Sequence, residues 1–125
     1  MGAATDRRHR VVAVVDDDPA VLDSLRFVLE VAGHKVCVYA SAAAFLEDRV
    51  PQPDRLILDH HMPDMTGLEL AARVRSEGRK LPMLLISAAP SDEMLRRAAE
   101  LGIAKILEKP VAENELLSFV EGPAS

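Results

Sequence analysis

Leu56-Ile57-Leu58-Asp59-His60-His61-Met62-Pro63-Asp64-Met65-Thr66-Gly67 is the stretch on which the reading of this chain turns. Three apolar residues suited to a β-strand run directly into one carboxylate. A short apolar run without alternation marks a strand covered on both faces, as in a parallel sheet. Asp59 then stands at the carboxyl end of that strand, the edge at which open α/β sheets bind ligands. After a loop containing Pro63, Thr66 and Glu69 have the spacing of a capping box that starts the next helix. With Thr66 supplying the cap, Asp59 is left for other work.

Outward from this stretch the same strand-then-helix unit repeats. Val11–Val15 is continuously apolar, and Asp16-Asp17-Asp18-Pro19 follows, with Asp18 as N-cap and Pro19 at the first helical position. Leu22, Leu25, Val28, Leu29 and Ala32 recur at helical spacing up to Gly33, and His34 falls in the turn. Residues 36–39 read as a short second strand in which Cys37 is a small buried hydrophobe. Ser41 caps a small helix that turns Ala44, Phe45 and Val50 inward, and Pro51 and Pro53 break it.

Beyond the Asp59 strand, a helix from Thr66 packs Leu68, Ala71, Ala72 and Val74, and 78–80 form a polar turn. Residues 83–86 are a fourth buried strand ending at Ser87. Ser91 caps a helix with Met94 or Leu95, Ala98 and Leu101 inward, and Gly102 stops it. A fifth strand at 103–107 is interrupted by Lys105. Lys109-Pro110 then leads to a last helix, 113–120, carrying Leu116, Leu117 and Val120.

Five β-α units with right-handed crossovers put helices on both faces of a parallel sheet. The most apolar strands, one, three and four, belong in the middle. The predicted fold is therefore α/β, a flavodoxin-like (βα)5 doubly wound sandwich of strand order 2-1-3-4-5, with its switch point between strands one and three. The expected organisation is a tail at 1–10, a domain at 11–121 and a second tail at 122–125.

A chain of 125 residues fits one domain. The net charge of -5 argues against direct nucleic-acid binding, and the basic cluster Arg7-Arg8-His9-Arg10 reads as a solvated tail. No apolar run approaches the ~20 residues that span a bilayer, and no signal peptide is visible. One cysteine excludes an internal disulfide. A cytoplasmic protein is expected.

Asp16 and Asp17 end strand one, Asp59 ends strand three, Ser87 ends strand four and Lys109 follows strand five. All fall at one edge of one sheet. Crowded carboxylates need a counter-charge, and oxygen ligands at an open edge suit Mg²⁺. A carboxylate beside such an ion can become an aspartyl-phosphate. Phosphoryl transfer then rests on positioning and charge stabilisation, for which the Lys109 amine and the Ser87 hydroxyl are suited.

Val-Asp-Asp-Asp-Pro at 15–19, Leu-Asp-His-His-Met-Pro-Asp-Met-Thr-Gly at 58–67, Ile-Ser at 86–87 and Glu-Lys-Pro at 108–110 form an ordered set. In these motifs the chain resembles the receiver domain of two-component response regulators, from about residue 11 to residue 120. The resemblance implies that Asp59 accepts phosphate from a histidine kinase or a histidine phosphotransfer protein. It implies that Asp16, Asp17 and Asp59 hold Mg²⁺ with help from the backbone carbonyl of His61, and that Ser87 and Lys109 read the phosphate. It also implies a cis peptide bond before Pro110. The output face would be helix four, strand five and helix five, acting on a downstream protein or on a C-terminal effector domain outside this sequence.

Some positions depart from the family pattern. Ile106 replaces the aromatic residue whose ring turns on activation, and Val111 stands where Phe is common. His60 and His61 form an unusual pair. Neighbours on extended backbone point apart, which argues against joint ligation of a transition metal. His61, near the pocket mouth, is read instead as tuning phosphoryl lifetime, and Ala89 as leaving room for an attacking water. Two rival readings are a degenerate receiver used only for docking and a small metal-dependent phosphohydrolase. The intact set of Asp16, Asp17, Asp59, Ser87 and Lys109 disfavours the first, and the lack of a substrate lid disfavours the second.

Overall fold

Strands and helices alternate along the described residues: β1 (Val11–Val15), α1 (Pro19–Val31), β2 (Lys35–Tyr39), α2 (Ala42–Glu47), β3 (Arg55–Asp59), α3 (Gly67–Ser76), β4 (Met83–Ser87), α4 (Asp92–Glu100), β5 (Lys105–Glu108) and α5 (Glu113–Glu121). The structure, a computed structural model, describes residues 9–48 and 52–122. All strand pairs are parallel and the order is β2-β1-β3-β4-β5, as the apolar runs predict. The protein is an α/β sandwich of the flavodoxin-like, doubly wound kind.

The uninterrupted apolar strands serve two cores at once. Val12, Val14, Ile57, Leu84, Ile86 and Leu107 pack with Leu22, Leu25 and Leu29 of α1 and Leu116 and Val120 of α5. Their strand neighbours Ala13, Val15, Leu56, Leu58, Met83 and Leu85 pack with residues of α2, α3 and α4. A period of two on strands sandwiched between helix layers gives apolar residues at every position.

Helix starts follow local chemistry. Asp18 accepts the Ala20 N–H at 3.0 Å, Ser41 that of Ala44 at 3.0 Å and Ser91 that of Met94 at 3.1 Å. Thr66 and Glu69 form the reciprocal capping box. Gly33 and Gly102 take positive φ after α1 and α4, where a side chain would be strained.

The inward faces of several elements differ from the sequence reading. In α2, Ala42 is buried and Ala44 exposed, because Ala42 lies one helical turn from Phe45. Val50 and Pro51 lie outside the described residues. In α3, Gly67 must face the sheet, which sets the phase to Gly67, Leu70, Ala71 and Val74 and leaves Leu68 and Ala72 half-buried. On α4 the structure decides between the two residues the spacing offers: Met94 is inside and Leu95 outside. Strand β5 begins at Lys105, since the Ile103 N–H still bonds the Ala98 carbonyl to finish α4. Cys37 is only half-buried: β2 is an edge strand and the six-residue α2 covers little of it.

Arg10, expected in a free tail, is part of the folded unit. Its side chain donates to the carbonyls of Val120 and Gly122, and its carbonyl accepts the Lys35 N–H. Buried Arg55 donates to the carbonyls of Asp54, Phe119 and Gly122. Two guanidinium groups thus neutralise the negative end of α5. His34, expected in a plain turn, is buried beside them; its Nδ1 accepts the Arg10 N–H at 3.1 Å and its Nε2 lies 3.0 Å from Glu121. Among the described residues no helix is long and apolar enough to cross a membrane.

Candidate functional site

Strand register decides which polar residues share an edge. Val15 lies opposite Leu58, so Asp16 is level with Asp59 at the ends of β1 and β3. Asp59 faces Ile86 and Ser87 faces Glu108, which carries the edge on to Ser87 and Lys109. Backbone bonds fix the steps: His60 N–H to the Ile86 carbonyl at 2.9 Å, and Lys109 N–H to the Ser87 carbonyl at 3.0 Å.

Around this edge, one carboxylate oxygen from each of Asp16, Asp17 and Asp59 lies within 4.8 Å of the others. Asp16 and Asp59 are buried and Asp17 is exposed. Lys109 Nζ is 2.9 Å from Asp59 Oδ1. Burial alone would lower the Lys109 amine, but its bond to Asp59 and the charges of Asp59, Asp16 and Asp18 outweigh that and raise it. It is therefore an ammonium throughout the physiological range.

Asp16 is the strained member. One oxygen accepts the Asp18 N–H at 2.9 Å; the other is buried without a protein partner. Burial, with added repulsion from Asp59 and Asp17, pushes its carboxyl from 3.8 up to about 6, despite the Asp18 bond and Lys109. Three carboxylates against one ammonium leave an unbalanced negative charge, and one buried Asp16 oxygen has no protein partner. An all-oxygen donor set with excess negative charge fits a hard divalent cation such as Mg²⁺.

Ser87 is fully buried, and its Oγ accepts the Ala89 N–H at 3.2 Å, so its hydroxyl proton is uncommitted by that bond. Ala89 is exposed, Ile106 is half-buried against the core on the α2–α4 side, and the Lys109–Pro110 bond is cis. His61 is exposed. Its ring meets that of His60 edge to face, 5.0 Å between centroids, rather than pointing away, because the backbone bends at His60. Among the described residues no third donor completes a metal set around this pair.

The sequence reading quoted Gly67 only as a motif letter, yet the site depends on it. A Cβ there would lie 2.6 Å from the Asp59 carbonyl oxygen and 2.6 Å from Leu85 Cδ1. Its N–H also donates to the His60 carbonyl at 3.0 Å. Helix α3 can dock this close to the end of β3 only without a side chain at that point. Gly67→Ala is expected to cost about 1–3 kcal/mol through overpacking; thermal unfolding would show it, and an unchanged midpoint would contradict the close contact.

Comparison with known proteins covers the same stretch of chain. The family model described as the response regulator receiver domain matches residues 12–121. The transcriptional regulatory protein FixJ of Azorhizobium caulinodans is 37% identical over 111 residues, covering 87% of this chain and 52% of that protein. An uncharacterized 14.6 kDa protein of Leptolyngbya boryana is 38% identical over 115 residues, covering 88% of this chain and 86% of that one. Among solved structures, a CheY-like response regulator receiver domain protein from Methanospirillum hungatei superposes with a TM-score of 0.84 at 26% identity, covering 90% of each chain. The chain spans about half the length of the curated regulators it matches first. A match running from β1 to the end of α5, over the strand order described above, makes this chain a member of the response regulator receiver domain family.

Proposed function

We propose that Asp59 accepts a phosphoryl group from the phosphohistidine of a histidine kinase or histidine phosphotransfer protein. The observation that carries this reading is the geometry around Asp59: a buried carboxylate at a strand end, 2.9 Å from an ammonium and grouped with two further acids. An Asp59 carboxylate oxygen forms the new O–P bond as the P–N bond to the donor imidazole breaks. The imidazole leaves with the electron pair and takes up a proton. Asp16, Asp17 and Asp59, with the His61 backbone carbonyl, would hold Mg²⁺. When bound, that ion supplies neutralising charge for the phosphoryl oxygens.

The remaining work falls to the chain's own groups. Lys109, now paired with Asp59, would exchange that carboxylate for a phosphoryl oxygen. The uncommitted hydroxyl proton of Ser87 would serve a second oxygen. Moving these two groups shifts the loops after β4 and β5, and so biases the face formed by α4, β5 and α5. With Ile106 in place of a ring, loop displacement rather than side-chain rotation would carry the change. The product is a signalling state read by a downstream protein or an effector domain, not turnover of an external phosphoester.

Intact-mass measurement after incubation with acetyl phosphate and Mg²⁺ tests this. The wild-type chain is expected to gain the mass of one phosphoryl group, and Asp59→Asn or omission of Mg²⁺ to abolish the gain. A wild-type chain that stays unmodified would point to a docking module. Sustained hydrolysis of an added phosphoester would point to a phosphohydrolase.

A further inference from the structure

The loop that leaves Asp59 is tied down at three places. Met62 is buried in the core on the α2–α4 side. Gly67 closes the far end through its bond to the His60 carbonyl and its contact with Asp59. Between them, Asp64 reaches across to a different element. Its Oδ2 accepts the Ala43 N–H at 3.0 Å and its Oδ1 the Met65 N–H at 3.1 Å. Helix α2 therefore has two caps, Ser41 from its own chain entry and Asp64 from a loop 21 residues on.

Two caps on one short helix are more than local helix formation requires. Ser41 serves the Ala44 N–H while Asp64 serves that of Ala43, so the two do not compete for one donor. The distinguishing feature of Asp64 is its place on the 60–66 loop. That loop carries the His61 carbonyl assigned above to the cation. We propose that Asp64 is a positioning residue for the Mg²⁺ site: its bond to α2 holds the 60–66 loop where the His61 carbonyl can serve the ion. This rests on the proposed cation-binding reading of Asp16, Asp17, Asp59 and the His61 carbonyl.

The bonds from the Ala43 and Ala42 amides, with those inside the loop, hold the Asp64 carboxyl below the usual carboxylate range despite its solvent exposure. The anion is thus in place across the range in which the acidic cluster works. By linkage the coupling runs both ways: an ion that orders the loop also strengthens the cap on α2, and a lost cap weakens the ion.

Mg²⁺ titrations followed by NMR, with amide exchange at Ala43 and Ala44, test the assignment. Outer-shell partners of metal sites commonly change affinity about 10–100-fold, and for an exposed strap the expected loss on Asp64→Ala is about fivefold. Asp64→Asn keeps an oxygen for Ala43 without the charge, and is expected to restore most of the affinity. Ser41→Ala removes the other cap without touching the loop; it should speed exchange at Ala44 and leave Mg²⁺ affinity unchanged. Mg²⁺ is expected to slow exchange at Ala43 in the wild type and not in Asp64→Ala. Wild-type binding with Asp64→Ala equally tight would overturn the positioning role alone. Equal loss in Asp64→Ala and Ser41→Ala would overturn it too, by showing that α2 stability, not the strap, matters. No Mg²⁺ binding by the wild type would overturn the cation site itself, and the strap with it.

Discussion

Arg55→Ala is expected to destabilise the fold by about 3–4 kcal/mol, near the upper range for single substitutions. Arg55 is 2% exposed and, unusually for a buried cation, its hydrogen bonds go to backbone carbonyls, those of Asp54, Phe119 and Gly122. Burial, then the nearby Arg10 charge, pulls its guanidinium below the ordinary range, while Asp54 partly offsets them. Desolvation therefore weighs against Arg55, and relieving it favours the variant. Three effects oppose that relief: a cavity, lost contact with the Phe119 ring, and helix-end carbonyls left without their donor.

These losses win in the alanine variant because nothing refills the site. Arg55→Met separates the contributions. It restores much of the volume and removes the buried charge, so only the orphaned carbonyls remain, and a loss of about 1–2 kcal/mol is expected. Urea unfolding followed by circular dichroism measures both. A loss below about 1 kcal/mol for alanine would show that Arg10, which also bonds Gly122, holds α5 without help.

Asp16→Asn should act in the opposite direction and stabilise the metal-free protein. With the Asp16 carboxyl raised from 3.8 to about 6, the folded state holds this proton more tightly than the unfolded chain does. The sign follows from linkage: its contribution to stability is intact below about pH 4 and is lost as pH rises through about 6. Over that shift the ceiling on the loss is about 3 kcal/mol at pH 8. Asparagine keeps an oxygen for the Asp18 N–H and carries no charge at any pH. The variant is expected to unfold at higher urea than wild type at pH 8, by about 1–3 kcal/mol, and to match it near pH 4. Added Mg²⁺ should stabilise wild type but leave the variant nearly unchanged. A variant less stable than wild type in EDTA at pH 8 would refute this account of the buried acid.

Both substitutions also show what a linear sequence can and cannot disclose. Asp16 was legible because it follows a continuous β-branched run, and a strand end is a place in space as well as in sequence. The same logic identified Asp59, Ser87 and Lys109, and the apolar runs around them yielded the strand order. Arg55 was not legible. It reads as a polar residue before a strand, while its partners at Phe119 and Gly122 lie 64 and 67 residues away.

Asp64 hid in the same way, its acceptor role belonging to another helix. His34 reads as a turn residue because its hydrogen-bond partners, Arg10 and Glu121, lie at opposite ends of the chain. The phases of α2 and α3 depart from the apolar spacing for a further reason. Short helices carry few apolar positions, and a close approach at Gly67 outranks hydrophobic periodicity in deciding which side turns inward.

The placement of Lys109 has a consequence for how the protein comes into being. A ribosome delivers Asp16 and Asp59 well before it delivers the lysine that pairs with the second of them. Until β5 docks beside β4, the newborn chain owns the acids but not their counterweight. The first positive charge at this edge is therefore a late arrival in the birth of the molecule, and even then the acids outnumber it.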